Sequence, residues 1–288
     1  MSRARPRVMK RLSSRVYAPD AAPAQSIVVL PPDEAHHVKH VLRRSVGDEI
    51  GVFDGAGHEW SGRIVSADRS TVKVELVAPV DATREPAVHV ILAIGLLKGD
   101  QMDAVVRDAT MLGAAEIVPM ATAHVAVSGK ARENEKAISR WTRVAIASAR
   151  QCGRAVVPAV APVTPFDTVL SRTVRDETII AVEPAHMADL ETSPPDTSAD
   201  LGISPPYTSA DLGISPPYAS ADLGISPPYV RPAKALVLVG PEGGWSAGEI
   251  EMARKCRARP RQLGPRTLRA ESAPIVLLSA LWTEWGWT

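Results

Sequence analysis

The sequence predicts an α/β fold: an open, mostly parallel sheet with helices on both faces, preceded by a small β-rich unit of barrel or sandwich type. Three observations predict it. Before about Pro86, short segments of β-formers recur at close intervals with turn residues between them. After Pro86, continuous apolar runs take over, as strands buried on both faces require. Between those runs, apolar residues recur at helical spacing.

In the first part, Ile27–Leu30, Asp48–Phe53, Glu59–Val65 and Thr71–Val77 read as strands, and Asp54-Gly55 marks a turn. A short helix from Asp33 to about Leu42 interrupts them and presents His36, His37, Lys39, His40, Arg43 and Arg44. In the second part, His89–Leu96 is a buried strand. Asp100–Leu112 places Met102, Val105, Val106, Ala109 and Leu112 on one helical stripe, with Gly113 as its C-terminal cap. Ile117–Met120, Thr178–Val182 and Ala235–Val239 are further strands. Glu133–Gln151 is a helix with Ile138, Trp141, Ala145 and Ile146 inward. Ser246 and Glu249 form a capping box for the next helix, and Glu271–Trp285 closes the chain as a helix. The expected domains are residues 1–85 and 86–288.

The second part is interrupted by a repeat. Thr-Ser-Ala-Asp-Leu-Gly-Ile-Ser-Pro-Pro-Tyr fills 197–207 and recurs at 208–218, and the copy at 219–229 differs only in Ala219. Its Pro-Pro pairs favour extended backbone and its polar residues leave little to bury. It reads as a flexible insertion over 191–232 without a catalytic role; long loops add little closure entropy.

Composition narrows the function. The 33 basic residues nearly cancel the 32 acidic ones, so net charge neither demands nor excludes a nucleic-acid partner. Arg3, Arg5, Arg7, Lys10, Arg11 and Arg15 form an acid-free basic terminus suited to a phosphate backbone or to plain solvation. No apolar run is long enough to span a bilayer. Cys152 and Cys256 form no disulfide framework, and no His/Cys spacing resembles a zinc site. A cytoplasmic protein with reduced thiols and no metal is expected.

Three loops follow buried strands or precede the last helix, where α/β sheets bind ligands. They are Glu183-Pro184, Gly240-Pro-Glu-Gly-Gly244 and Leu263-Gly-Pro-Arg-Thr-Leu-Arg-Ala-Glu-Ser-Ala273. Glycines let a ligand approach backbone groups closely, although such a turn taken by itself reads first as a plain tight strand–helix connection. No Gly-Lys-Ser/Thr phosphate loop and no Gly-x-Gly-x-x-Gly follows a strand, which argues against NTP or dinucleotide binding. In the third loop, Arg266 and Arg269 precede Glu271. A capping carboxylate with arginine partners and a cation–carboxylate pair beside a reaction centre are both compatible with that pattern.

The ordered set Lys98-Gly-Asp-Gln-Met-Asp103, Gln151-Cys-Gly-Arg154, Val239-Gly-Pro-Glu-Gly-Gly244 and Leu263-Gly-Pro-Arg-Thr-Leu-Arg-Ala-Glu-Ser272 resembles the ribosomal RNA small-subunit methyltransferase E family of the SPOUT superfamily. Arg15-Val-Tyr17, His36-His-Val-Lys-His-Val-Leu-Arg43 and Val46-Gly-Asp-Glu-Ile50 resemble that family's PUA-like domain. The chain departs from the family at Ala155, often Asn, and at Ala270-Glu271-Ser272, usually Thr-Glu-Thr.

The resemblance implies a SPOUT-type sheet whose C-terminal part threads a trefoil knot, a rare exception to chain topology. It implies a homodimer and S-adenosyl-L-methionine as cofactor. The cofactor residues carried over are Glu183, Gly240, Pro241, Glu242, Gly243, Gly244, Leu263, Gly264, Leu268, Arg269, Glu271, Ser272 and Ala273. The implied reaction is methylation at N3 of one uridine of 16S rRNA within the small ribosomal subunit. Arg269 and Glu271 are the candidate catalytic residues, for charge stabilisation and proton acceptance. Arg15, Arg43, Arg44, Lys98 and Arg154 are the candidate RNA contacts. A non-catalytic RNA-binding assembly factor and a methyltransferase acting on a different RNA remain the alternatives.

Overall fold

A computed structural model describes residues 14–22, 26–125, 131–172, 176–184 and 231–287. The basic positions 3–11 and the repeats at 197–229 lie outside the described residues.

The first part forms a curled five-stranded sheet. β1 (Arg15–Tyr17) pairs in parallel with β3 (Glu49–Phe53). β3 then pairs antiparallel with β4 (Glu59–Ala67), β4 with β5 (Val72–Val80), and β5 with β2 (Ile27–Val29). Alternation sets the inner face: Val28, Ile50, Val52, Ile64, Val72 and Val74 are buried while Ile27, Val29 and Val77 face outward. The expected helix starts at α1 (Pro32–His36), widens into a π-helical turn over His37–Val41, and ends at Arg43, whose φ is 51°. β1 was not legible as a strand: three residues carry too little periodicity.

The second part is a seven-stranded sheet in which every pairing is parallel. In chain order its elements are β6 (His89–Gly95), α2 (Gln101–Met111), β7 (Glu116–Ala121), α3 (Ala131–Cys152), β8 (Ala159–Val160), β9 (Thr164–Pro165), α4 (Phe166–Ser171), β10 (Glu177–Val182), β11 (Lys234–Val239), α5 (Ala247–Lys255), β12 (Arg259–Gln262) and α6 (Ala273–Trp285). The strand order is β12-β10-β11-β6-β7-β8, with β9 beside β7.

Helices cover both faces, as expected. Val90, Leu92 and Ile94 of β6 point into one apolar cluster with Met102 and Val106 of α2, Trp141 and Ala145 of α3, and Leu277 and Leu281 of α6. The intervening Ile91 and Ala93 point into the other, with Phe166 and Val169 of α4 and Ile250 and Ala253 of α5. Fully burying a side chain of this kind contributes about 1.5–3 kcal/mol, which makes these two clusters the bulk of the driving force. The α2 stripe is buried as expected, and Gly113 ends it at φ 83°. The capping box of α5 forms through Ser246 and Glu249. Pro274 sits in the first turn of α6, where its missing N–H costs nothing.

β12 escaped sequence reading. Arg-Pro-Arg-Gln has no apolar alternation, and its proline suits only an edge strand. Its arginines are paired with carboxylates: Arg259 Nε lies 2.6 Å from Glu177 of the neighbouring β10, and Arg261 Nη2 lies 3.0 Å from Glu284 of α6.

Two arginines are buried where the two parts meet, and Arg15 bonds across the junction. Arg15 is 5% exposed and donates to both carboxylate oxygens of Glu59, at 2.8 and 2.9 Å. It also donates to the carbonyls of Ala149, Arg150 and Arg154 at and just beyond the end of α3. Arg154, also 5% exposed, donates to Thr110, Gly113 and Ala114 carbonyls at the end of α2, and to Glu85 at 2.7 Å. Each guanidinium thus adds side-chain donors to carbonyls at a helix C-terminus, where the macrodipole favours a cation, beside the backbone N–H groups that already reach Ala149 and Thr110. The expectation that Arg15 and Arg154 contact RNA is corrected here, because every one of these donors is used inside the protein.

Candidate functional site

β12, β10 and β11 are adjacent, and their registers align Val182 with Gln262 and Ile180 with Leu238. Their C-terminal ends therefore lie side by side, and the three loops that leave them converge. Between the loops is a cavity of about 340 Å³. That size lies within the range of small-molecule sites.

Of the thirteen residues expected to hold a cofactor, all but Gly243, Gly264 and Ser272 line this cavity. Gly243 instead packs on the β7–α3 connection, where a Cβ would stand 2.9 Å from that of His124. Its carbonyl meets His124 Nδ1 at 2.9 Å. Gly264 holds the third loop at φ 83° and accepts from Gln262 Nε2 at 2.8 Å. Ser272 is the N-cap of α6 and makes no side-chain cap bond.

The loop after β11 is braced from three directions. Gly95 ends β6 so close to it that a Cβ there would lie 2.5 Å from the Pro241 nitrogen. Trp245 is buried, donates from Nε1 to the Ala181 carbonyl at 2.8 Å, and lies with its ring 5.2 Å from that of Phe166. Glu249 is 3% exposed; it accepts from the Ser246 backbone and hydroxyl and from the Ala123 backbone, each at 2.9 Å. The capping box therefore also ties the β7–α3 connection to the glycine loop.

Charge in the cavity is mixed. Glu183, Glu242 and Glu271 supply carboxylates, and Arg266 and Arg269 supply cations. Arg269 is 86% exposed at the mouth, with Nη1 3.8 Å from Glu271 Oε1. Glu271 is 21% exposed and also accepts from Gln101 Nε2 at 3.4 Å. Gly240 and Gly244 put no side chain into the cavity; the Gly244 N–H donates to the Pro241 carbonyl and its own carbonyl meets His124 Nδ1, while Gly240 lies against the Trp245 ring. This combination can hold a flat polar ring by its edge and a cationic group by carboxylates.

A family model described as an RNA methyltransferase domain matches residues 83–200 and 219–282, and one described as an RNA methyltransferase PUA domain matches residues 30–77. The chain belongs to the RNA methyltransferase family. Among the relatives of this RNA methyltransferase is ribosomal RNA small subunit methyltransferase E of Bacillus subtilis, 28% identical over 250 residues, covering 86% of this chain and 87% of the relative. The protein of that name from Synechocystis is 28% identical over 266 residues, covering 92% and 76%. A Legionella pneumophila methyltransferase structure with the bound cofactor SAM is 26% identical, with a TM-score of 0.73 and coverage of 94% and 97%. A ribosomal RNA small subunit methyltransferase E structure from Neisseria gonorrhoeae, 23% identical, shares the fold at the same TM-score over 94% and 98%. The resemblance read from the ordered motifs is thereby borne out.

Of the remaining RNA candidates, Lys98 and Arg43 are exposed, and Arg44 is half-buried and donates to Ser14 Oγ. Ala155 is buried against Phe53 and Ala149, away from the cavity. Arg266, singled out in the third loop, lines the cavity. Sequence reading missed Gln101 and Trp245: Gln101 stood inside a quoted motif and Trp245 directly follows one, but only the fold shows which way each side chain faces. Among the described residues, no helix is long and apolar enough to cross a membrane, and no three His, Cys, Asp or Glu side chains gather to hold a metal ion.

Proposed function

We propose that this enzyme methylates N3 of a uridine in 16S rRNA of the small ribosomal subunit, with S-adenosyl-L-methionine held in the three-loop cavity. One observation carries the cofactor assignment: loops from three adjacent parallel strands meet on one cavity lined by Gly240 and Gly244, apolar Leu263 and Leu268, and three carboxylates. That donor set fits a molecule with an adenine edge, an apolar-walled sugar and a sulfonium. The names of the relatives support the rRNA substrate. The cofactor, when bound, supplies an already activated methyl group.

The chain's own residues supply position and proton management. Glycine-loop and third-loop backbone groups orient the donor, and orientation of this kind is worth several kcal/mol. Arg269, at the mouth, stabilises negative charge developing on the uracil oxygens. Glu271 accepts the N3 proton, directly or through a water. The target base enters unstacked, as a concave site beneath a helical RNA surface requires. The curled N-terminal sheet, with Arg43 and Arg44, and Lys98 contact the surrounding RNA. The knot, the homodimer, a cytoplasmic location and a boundary near residue 85 belong to the same reading.

The test is calorimetric titration with S-adenosylhomocysteine, then methyl transfer to small subunits lacking 3-methyluridine. Saturable binding that Leu268→Arg abolishes, with 3-methyluridine formed by the wild type, is expected. A folded wild-type protein that binds no S-adenosylhomocysteine with or without RNA overturns the cofactor assignment, and a methylated base other than uridine overturns the substrate.

A further inference from the structure

We infer that Gln101 is a positioning residue for methyl transfer, holding Glu271 through a side-chain amide that also reaches Glu242. This rests on the reading of Glu271 as proton acceptor. Gln101 is the first residue of α2 and lines the cavity from the β6 side. Its Nε2 donates to Glu271 Oε2 at 3.4 Å, across 170 positions of sequence. The opposite amide orientation satisfies both ends of the group: there the nitrogen donates to Glu242 Oε1 at 2.5 Å and to the Lys98 carbonyl at 3.1 Å, and the amide oxygen takes the place facing Glu271 Oε2. One neutral amide therefore stands between two carboxylates and links the connections that follow β6, β11 and β12.

The chemistry explains why that place matters. Glu242 and Glu271 share a cavity with Glu183, so like charges oppose one another there. The cations facing the cavity are Arg266 and Arg269, and Arg269 approaches Glu271 at the other oxygen, Oε1. Gln101 is thus the group at Oε2. Its NH2 donates to Glu271 while that group is a carboxylate, and its carbonyl oxygen accepts from Glu271 once the group carries a proton. In the step it serves, the uridine N3–H bond breaks and its proton forms an O–H bond at Glu271 Oε2. The electron pair left on N3 forms the bond to the methyl carbon as that carbon's bond to the donor sulfur breaks, and the sulfur keeps the bonding pair and leaves as a neutral thioether. Turning the amide over then directs its NH2 to Glu242. The arrangement fixes the oxygen that must meet N3 while leaving it able to change protonation state.

Single-turnover methyl transfer on small subunits lacking 3-methyluridine tests this with the full chain, across pH, beside S-adenosylhomocysteine affinity and thermal midpoint. Gln101→Met keeps the length and removes the amide. It is expected to slow transfer about ten- to a hundredfold, the cost of a misplaced reacting group, while affinity and midpoint stay close to wild type. Gln101→Lys restores a donor but no acceptor, and is expected to recover part of the rate with the pH–rate profile displaced to lower pH, because a cation favours the ionised carboxylate. An unchanged rate and profile in Gln101→Met overturns the inference. So does a loss that Gln101→Lys does not recover even in part, or one matched by an equal loss of affinity. Full activity in Glu271→Gln overturns the proton-acceptor reading itself, whereas an inactive Glu271→Gln beside an unaffected Gln101→Met overturns the Gln101 inference alone.

Discussion

Gly95 and Pro241 touch so closely that any side chain at 95 collides with the backbone of the glycine loop: an added Cβ would lie 2.5 Å from the Pro241 nitrogen and 2.7 Å from its Cδ. The end of β6 therefore sets the height of the loop that follows β11. Gly95→Ala is expected to push Pro241 into the cavity, to lower S-adenosylhomocysteine affinity at least about tenfold, and to lower stability by about 1–3 kcal/mol, as overpacking does. Calorimetry and urea unfolding measure both. Unchanged affinity would show that the loop relaxes freely.

Arg154 belongs to the fold. Arg154→Met leaves the Thr110, Gly113 and Ala114 carbonyls and the Glu85 carboxylate without their shared donor. The expected loss is about 2–4 kcal/mol, below the range for a wholly buried pair because Glu85 is partly exposed. Lys98→Ala, at an exposed position, is expected to change stability by no more than about 0.5 kcal/mol. Urea midpoints decide, and equal midpoints for the two variants would contradict the structural role given to Arg154.

Glu249 couples two connections. Glu249→Ala removes the acceptor for the Ser246 and Ala123 donors and is expected to cost about 2–3 kcal/mol. Amide exchange is expected to quicken at Ala123 as well as in the first turn of α5. Faster exchange in α5 alone would mean that the link to the β7–α3 connection carries no energy.

Acid sensitivity is expected at the junction of the sheets. Burial, then the neighbouring Arg150 and His36, hold His37 below its ordinary 6.5. The unfolded chain therefore binds that proton more readily. This contribution to stability is fully present above 6.5 and is lost as pH falls from there through the lower folded value. Glu34 runs the other way: burial raises it above 4.5 against the pull of Arg150, so its contribution is present below 4.5 and is lost as pH rises through the folded value. His37→Asn is expected to flatten the stability profile just below 6.5, measured by urea midpoints across pH. An unaltered slope would remove His37 as its cause.

The sequence by itself determined the fold class, the α2 stripe, the α5 capping box and the order of the motifs, because periodicity and capping are local properties of the chain. It also brought out the glycine loop and the third loop, through the resemblance of their ordered motifs and not through the glycines alone. Only the tertiary structure decided which charges are free. Arg15, Arg154 and Arg43 look alike in sequence, yet two are buried on helix ends and one is exposed at φ 51°. Only tertiary structure revealed β12 as a strand, because its arginines are ion-paired with Glu177 and Glu284 from distant segments. Only it brought Gln101 to Glu271, because that contact exists solely through the strand order that sets β6 beside β11 and β11 beside β10. Long-range electrostatics and strand order depend on which surfaces meet, and neither leaves a periodic trace in the chain.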